Sequence, residues 1–156
     1  MIVRDITLNR PCLAVTPVGD RYYRLAQDTR MYAHTDVGLL RADVREGFIS
    51  NFRSGGPLVD GFVDQIGDER KSLIYLFHDL FYTPCDACGG EHPVTRELAD
   101  EFLRDGLAWA GMGKFKRNLV YYAVRTFGNG AYEEDDHLTA SNRMLFTFQW
   151  QAGESG

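Results

Sequence analysis

The chain has 156 residues, 44% of them hydrophobic and 25% charged, and its 17 basic and 22 acidic residues give a net charge of −5. This composition favours a folded domain over a disordered segment, and the acidic balance argues against a broad basic face for nucleic acid. No sequence-specific nucleic-acid partner is therefore expected. No apolar run approaches the roughly 18 residues of a membrane span, and the first residues lack the apolar stretch of a secretory signal. The three cysteines, an odd number, argue against a disulfide scaffold and for a reducing compartment.

The first part of the chain predicts short strands separated by turns. Segments rich in strand-forming residues are bounded by clusters of Gly, Pro and Asn. The predicted strands cover residues 2–8, 12–15, 22–26 and 41–49. A Ser-Gly-Gly-Pro break at residues 54–57 ends this strand-rich portion.

After the break, the spacing of the apolar residues becomes helical. Three helices are predicted, over residues 69–82, 94–110 and 114–127, and Asp68 can cap the first. Residues 144–150 predict a last strand. The order of strands, three packed helices and a closing strand predicts an α+β fold. We expect a single domain over residues 1–156, with a strand-rich portion (1–57), a helical portion (68–128) and a closing strand (143–150).

The first predicted helix carries two unusual residues in an apolar stretch. Between Ser72 and Tyr82, only His78 and Asp79 are charged or readily become charged. A helix that is apolar on nearly all sides is normally buried, and an ionised carboxylate there must be paired, hydrogen-bonded or bound to a metal. His78 and Tyr82 are four residues apart and share a face, while Asp79 points roughly 100° away.

Asp100 heads the core-facing stripe of the second predicted helix, which continues at helical spacing through Leu103 and Leu107. This carboxylate needs a buried partner, and His78 with Tyr82 is the candidate. A carboxylate that holds one imidazole nitrogen fixes the tautomer, and the other nitrogen can then take a proton from water. His78, Asp100 and Tyr82 are therefore the candidate catalytic residues. The alternative is a polar cluster of the core with no catalytic role.

Two metal sites are also candidates. Asp79 has the oxygen ligand that a hard cation such as calcium prefers. Cys85, Cys88 and His92 are candidate zinc ligands, because Cys-x2-Cys-Gly followed by a His is similar to a zinc knuckle. A fourth zinc ligand would come from one of the following: His34, His137, Cys12 or a water. The alternative for this segment is a loop whose thiols stay free and reduced, and no organic cofactor is expected.

A small basic patch lies at the start and side of the third predicted helix. It comprises Lys114, Lys116 and Arg117, with Arg125 further along. Contact with anionic lipid or nucleic acid is one interpretation of the patch. A solvated face, with Arg125 tied to a carboxylate, is the interpretation we favour.

The closing strand has one aromatic face. Phe146, Phe148 and Trp150 alternate with Leu145 and polar residues. Such a face must be buried against this domain or against another chain.

The first two helices together resemble the catalytic arrangement of the phospholipase A2 superfamily. The resemblance rests on His78-Asp79-Leu80-Phe81-Tyr82 followed by Ala99-Asp100-Glu101-Phe102. It implies a phospholipase-A2-like helix pair in which His78 is the general base for water and Asp79 binds calcium. It further implies that Tyr82 and Asp100 support His78 and that the substrate is a lipid ester.

The chain also resembles DUF1353, an uncharacterised family of phages and prophages. Four pieces of the family pattern occur in order, at residues 47–57, 78–82, 99–102 and 122–128. The resemblance extends from about residue 44 to residue 128. Where the family tends to have Thr-Asp, this chain has Ser50-Asn51.

These patterns favour a phage structural or accessory protein associated with the virion, tail or capsid. The glycine-rich calcium loop of secreted phospholipases is not recognisable, the Thr-Asp pair is replaced, and the strands exceed what a catalytic helix pair needs. The expected partners are other phage structural proteins, or a second copy that associates through the aromatic closing strand. The expected location is the host cytoplasm during synthesis, with the virion as a further candidate. The alternative function is a cation-dependent hydrolase of phospholipid esters.

Overall fold

The computed structural model describes residues 1–19, 22–50, 69–133 and 137–152 of the chain. Within these ranges the strands form two antiparallel sheets. The strands are β1 (Val3–Leu8), β2 (Val15–Gly19), β3 (Tyr22–Leu25), β4 (Thr29–Thr35), β5 (Gly38–Val44), β6 (Ile49–Ser50) and β7 (Phe146–Ala152). The four-stranded sheet has the order β1-β4-β5-β7, and the three-stranded sheet has the order β2-β3-β6.

The helices follow the first six strands. They are α1 (Glu69–Phe81), α2 (Arg96–Trp109), α3 (Lys114–Phe127), α4 (Asn129–Glu133) and α5 (His137–Asn142), with a 3₁₀ turn at Asp86–Cys88. The predicted α+β fold is confirmed, and α1, α2 and α3 lie within two residues of their predicted bounds. The predicted cap Asp68 and the break at residues 54–57 lie outside the described residues. In the described ranges, no helix combines the length and the apolar character needed to cross a membrane.

The core lies between the four-stranded sheet and the helices. Alternate residues of β5, from Gly38 to Val44, are buried, as the period of two in a half-buried strand requires. Phe77 and Phe81 of α1 pack against Phe148 of β7, with ring centroids 6.4 Å and 5.2 Å apart. The aromatic face of the closing strand is thus largely buried within this domain, although Trp150 is 42% exposed.

Several predictions for the strand-rich portion were wrong. β4 was not predicted, and the single strand expected over residues 41–49 is divided between β5 and β6. β2 begins where the expected strand at 12–15 ends, and it includes the Pro17–Gly19 segment that predicts a turn. The expectation failed because strand pairing supplies most of the stability of these short polar segments, and pairing is not visible in one segment. The short helices α4 and α5 were not predicted either.

Asn142 fastens the C-terminal part of the chain to the strand-rich portion. Its side chain accepts a hydrogen bond from the Ile49 amide at 3.0 Å and donates one to the Ile49 carbonyl at 2.9 Å. Asn142 is buried, so these bonds are protected from water. This clamp fixes the position of β6, which carries Ser50 towards α1.

The packing of α1 on α2 depends on the absence of a side chain at Gly106. An added Cβ there would overlap the buried Ile74 side chain, whose Cγ2 would lie only 3.0 Å away. We expect Gly106→Ala to lower the free energy of unfolding by about 1–3 kcal/mol, because overpacking a filled core forces side chains out of position. Urea denaturation measures this loss.

Gly130→Ala in α4 is the matched control for Gly106→Ala. An added Cβ at Gly130 meets nothing within 4 Å. This control should be neutral or gain up to about 1 kcal/mol from helix propensity. If Gly106→Ala is as stable as Gly130→Ala, the close helix contact is contradicted.

Candidate active site

Two of the predicted catalytic residues meet inside the core. His78 near the end of α1 and Asp100 on α2 are 2% and 0% exposed, respectively. The Nε2 atom of His78 lies 2.9 Å from Oδ1 of Asp100, which is hydrogen-bond distance. Both residues lie on the buried side of their helices, so the packing of α1 on α2 brings them together.

Asp100 accepts hydrogen bonds from more than one helix. Its Oδ1 also accepts from the Tyr82 hydroxyl at 2.5 Å, and its Oδ2 accepts from Arg125 Nη1 at 2.9 Å. Arg96 Nη1 is an ion-pair partner at 3.9 Å. Tyr82 also packs against the His78 ring, at a centroid distance of 4.1 Å. The predicted set of His78, Tyr82 and Asp100 is therefore brought together, with Arg125 as an additional member.

The surroundings of this cluster favour a neutral imidazole beside an ionised carboxylate. Burial lowers the pKa of His78 below its ordinary value, although Asp100 opposes this change. Burial by itself would raise the pKa of Asp100, but hydrogen bonds from His78, Tyr82 and Arg125 outweigh it and hold that pKa below the usual value. Burial and the contact with Asp100 raise the pKa of Tyr82, so the phenol remains a hydrogen-bond donor. In this state Nε2 of His78 carries the proton that Asp100 accepts.

Asp79 lies on the adjacent face of α1 and has different surroundings. The Ser50 hydroxyl of β6 donates a hydrogen bond to its Oδ2. Burial raises the pKa of Asp79 to about 7, and the hydrogen bond from Ser50 only partly opposes this rise. Among the described residues, no group of three or more His, Cys, Asp or Glu side chains could hold a metal. Since calcium usually takes six to eight oxygens, Asp79 and Ser50 do not form a calcium site by themselves.

The raised pKa of Asp79 predicts a specific dependence of stability on pH. The folded protein holds a proton on Asp79 that the unfolded chain, with an ordinary pKa of 3.8, has already lost. This contribution to stability is complete below about pH 4 and is lost as the pH rises through about 7. Asp79→Asn lacks this titration, so its stability relative to the wild type should increase by about 1–3 kcal/mol between pH 5 and pH 8.

Urea denaturation at the two pH values measures this difference. Asp5→Asn changes an exposed aspartate of β1 and is the control, which should show no comparable increase. If Asp79→Asn and wild type differ by the same amount at both pH values, the burial of an ionisable Asp79 is contradicted.

The segment between α1 and α2 contains the candidate zinc ligands. Here Cys85 and Cys88 are joined by a disulfide, whereas the sequence predicted either zinc ligands or free thiols. In this form, neither sulfur is available to a metal. Nδ1 of His92 lies 3.2 Å from the Phe81 carbonyl oxygen, and the His92 ring stacks on Tyr132 at 3.7 Å. His92 therefore belongs to an aromatic layer that reaches Tyr82 through Tyr132.

Three contributors to the site were not among the predicted site residues. For Ser50, the sequence showed only that it replaces the Thr of the family's Thr-Asp pair, because its contact with Asp79 joins distant segments. Arg96 lies four residues before Asp100 on α2, and this spacing could have identified it as a partner of the carboxylate. For Arg125, the sequence predicted an interaction with a carboxylate but did not identify which carboxylate. The unusual burial of Asp100 could have identified Arg125, since a buried carboxylate needs a cationic or hydrogen-bonding partner.

The fold and the site define the protein as an α+β protein with a buried His–Asp pair between two helices. The model of the family "Protein of unknown function (DUF1353)" matches residues 23–124, which is more than half of the chain. The chain therefore belongs to the DUF1353 family. No curated protein matches the chain, and no solved structure matches it. The family match does not extend to phospholipase A2, so that resemblance rests on the short motifs alone.

Proposed function

We propose that this protein is a hydrolase in which His78 activates a water molecule. The observation that carries the proposal is the 2.9 Å contact between His78 Nε2 and the fully buried Asp100. A histidine held in this way has a fixed tautomer, and its Nδ1 is the atom that accepts a proton. The lowered pKa of His78 keeps the ring neutral, which is the state that a general base requires.

An ester is the substrate class that suits this base, and a lipid ester is suggested by the resemblance to phospholipase A2. The water oxygen attacks the ester carbonyl as its proton moves to Nδ1 of His78. The tetrahedral intermediate then collapses, the bond to the alcohol breaks, and His78 returns the proton to the departing oxygen. Asp100 stays ionised throughout and stabilises the imidazolium that forms, while Tyr82 fixes the orientation of Asp100.

The test is hydrolysis of p-nitrophenyl esters and of phosphatidylcholine vesicles, each with and without millimolar calcium. Wild-type protein should hydrolyse at least one of these substrates above the protein-free rate. His78→Gln should lose about 100-fold or more of that rate, because general-base catalysis contributes roughly 10²–10⁴-fold. Circular dichroism of the variant shows whether the fold is retained.

His34→Gln is the matched control for the hydrolysis assay. His34 is an exposed histidine on β4, and it lies outside the cluster around Asp100. Its rate should equal that of the wild type. A rate that survives in His78→Gln, or no hydrolysis of any ester by wild-type protein, overturns the proposal. Calcium stimulation that is lost in Asp79→Asn supports a cation at Asp79.

The second proposal is a structural or accessory role in a phage particle. The observation in its favour is that β7 is the last strand of its sheet in the described part of the chain, with Trp150 42% exposed. An edge strand of this kind is a template for pairing with another chain. Phe146 is buried and Phe148 is partly buried inside the domain, which leaves less aromatic surface for such pairing.

For this second proposal, light scattering on purified protein is the measurement. Assembly through β7 predicts a stable dimer or larger species at micromolar concentration, and Trp150→Ser should return it to a monomer. Tyr122→Ser removes an aromatic residue exposed on α3 instead and should not change the size. A wild-type monomer contradicts assembly through this strand.

A further inference from the structure

Asp100 has a carboxylate with no exposure to water, so placing a charge there is costly. An ionised carboxylate in such a place must be compensated by directed donors. Oδ1 is shared by His78 and Tyr82, whereas Oδ2 accepts from Arg125. The two oxygens therefore have different roles. Oδ1 contacts His78, the proposed base, and Oδ2 contacts the positively charged Arg125.

Arg96 cannot replace Arg125 as a hydrogen-bond donor to Asp100. Its Nη1 donates to the backbone carbonyls of Val124 and Arg125 at 3.2 Å and 3.3 Å, near the end of α3. This leaves it 3.9 Å from Asp100, which is too far for a hydrogen bond. Of the two arginines beside Asp100, only Arg125 donates a hydrogen bond to the carboxylate.

The end of α3 also packs closely against the site, at Tyr82. Gly128 follows α3, and a Cβ added there would lie 2.7 Å from the Tyr82 hydroxyl. The absence of a side chain at Gly128 thus lets α3 approach Tyr82 closely enough for Arg125 to reach Asp100. Among the residues that the structure describes, the ionisable groups around the His78–Asp100 pair are Tyr82 directly after α1, Arg96 on α2, Arg125 on α3 and, in contact with Tyr82, Tyr132 on α4.

From this geometry we infer that Arg125 is a positioning residue of the proposed hydrolase. Arg125 holds Asp100 by Oδ2, so that Oδ1 keeps His78 in the tautomer with its proton on Nε2. This inference rests on the proposed function for its catalytic meaning. The arrangement itself can be tested without any substrate.

The first test is ¹⁵N NMR of histidine-labelled protein at pH 8. Wild-type His78 should show a single neutral form with the proton on Nε2. In Arg125→Gln a second form, imidazolium or the Nδ1 tautomer, should appear at about 10% or more, since a charged hydrogen bond corresponds to roughly a tenfold preference or more. Arg125→Lys keeps the charge and should restore most of the wild-type signal. A single Nε2–H form in folded Arg125→Gln overturns the inference.

Arg117→Gln is the control for these spectra. Arg117 also lies on α3, but it donates to the backbone carbonyl of Met112 at 3.1 Å rather than to a carboxylate. The His78 signals should therefore stay as in the wild type. A change as large as that of Arg125→Gln would mean that any arginine loss from α3 disturbs the site, which also overturns the inference.

A double-mutant cycle covers the case in which Arg125→Gln does not fold. In the Asp100→Asn background no buried charge needs compensation, so adding Arg125→Gln should cost little stability and the double variant should fold. If the double variant unfolds although Asp100→Asn is folded, Arg125 acts elsewhere and the inference is wrong. The NMR and unfolding results do not depend on the ester assays. The failure of the hydrolase proposal and the failure of this inference are therefore distinguishable.

Discussion

The burial of one negative charge determines how the helical part of this protein is arranged. Asp100 lies on the core face of α2, where its carboxylate has no exposure to solvent. Its partners come from α1 and α3, so both helices must pack against α2 in one register for the charge to be tolerated. A core of only apolar residues would allow small shifts between these helices, whereas a buried carboxylate with directed donors penalises each shift with a lost hydrogen bond.

The two acids of the site, Asp79 and Asp100, show how surroundings separate residues of the same type. Asp100 has donors from three side chains, and its pKa is held below the usual value. Asp79 accepts a hydrogen bond from the Ser50 hydroxyl, and burial raises its pKa to about 7. Pairs of carboxyl groups whose pKa values are driven apart in this way are typical of sites that handle protons. This contrast gives the proposed hydrolase one acid that is ionised near neutral pH and one that can exchange a proton there.

The sequence predicted the long helices well and the strands less well, for physical reasons. The amphipathic stripes of α2 and α3 repeat over 14 residues each, so a few local signals agree with one another. β4 alternates Thr29, Met31 and Ala33 as its buried residues, but Thr and Ala are weak signals beside Arg and His neighbours. Its stability comes from pairing with β1 on one side and β5 on the other, which no single segment reveals.

The same distinction between local and distant signals applies to the site. His78 and Tyr82 share a face because they are four residues apart, and Asp100 stands out as a carboxylate in an apolar stripe, so all three could be predicted. Ser50 could not, because its contact with Asp79 spans 29 residues and depends on a clamp by a third segment. Asn142 supplies that clamp through both backbone groups of Ile49, 93 residues earlier in the chain. The strand-rich portion is therefore part of the site, since it brings to α1 the hydroxyl that modulates Asp79.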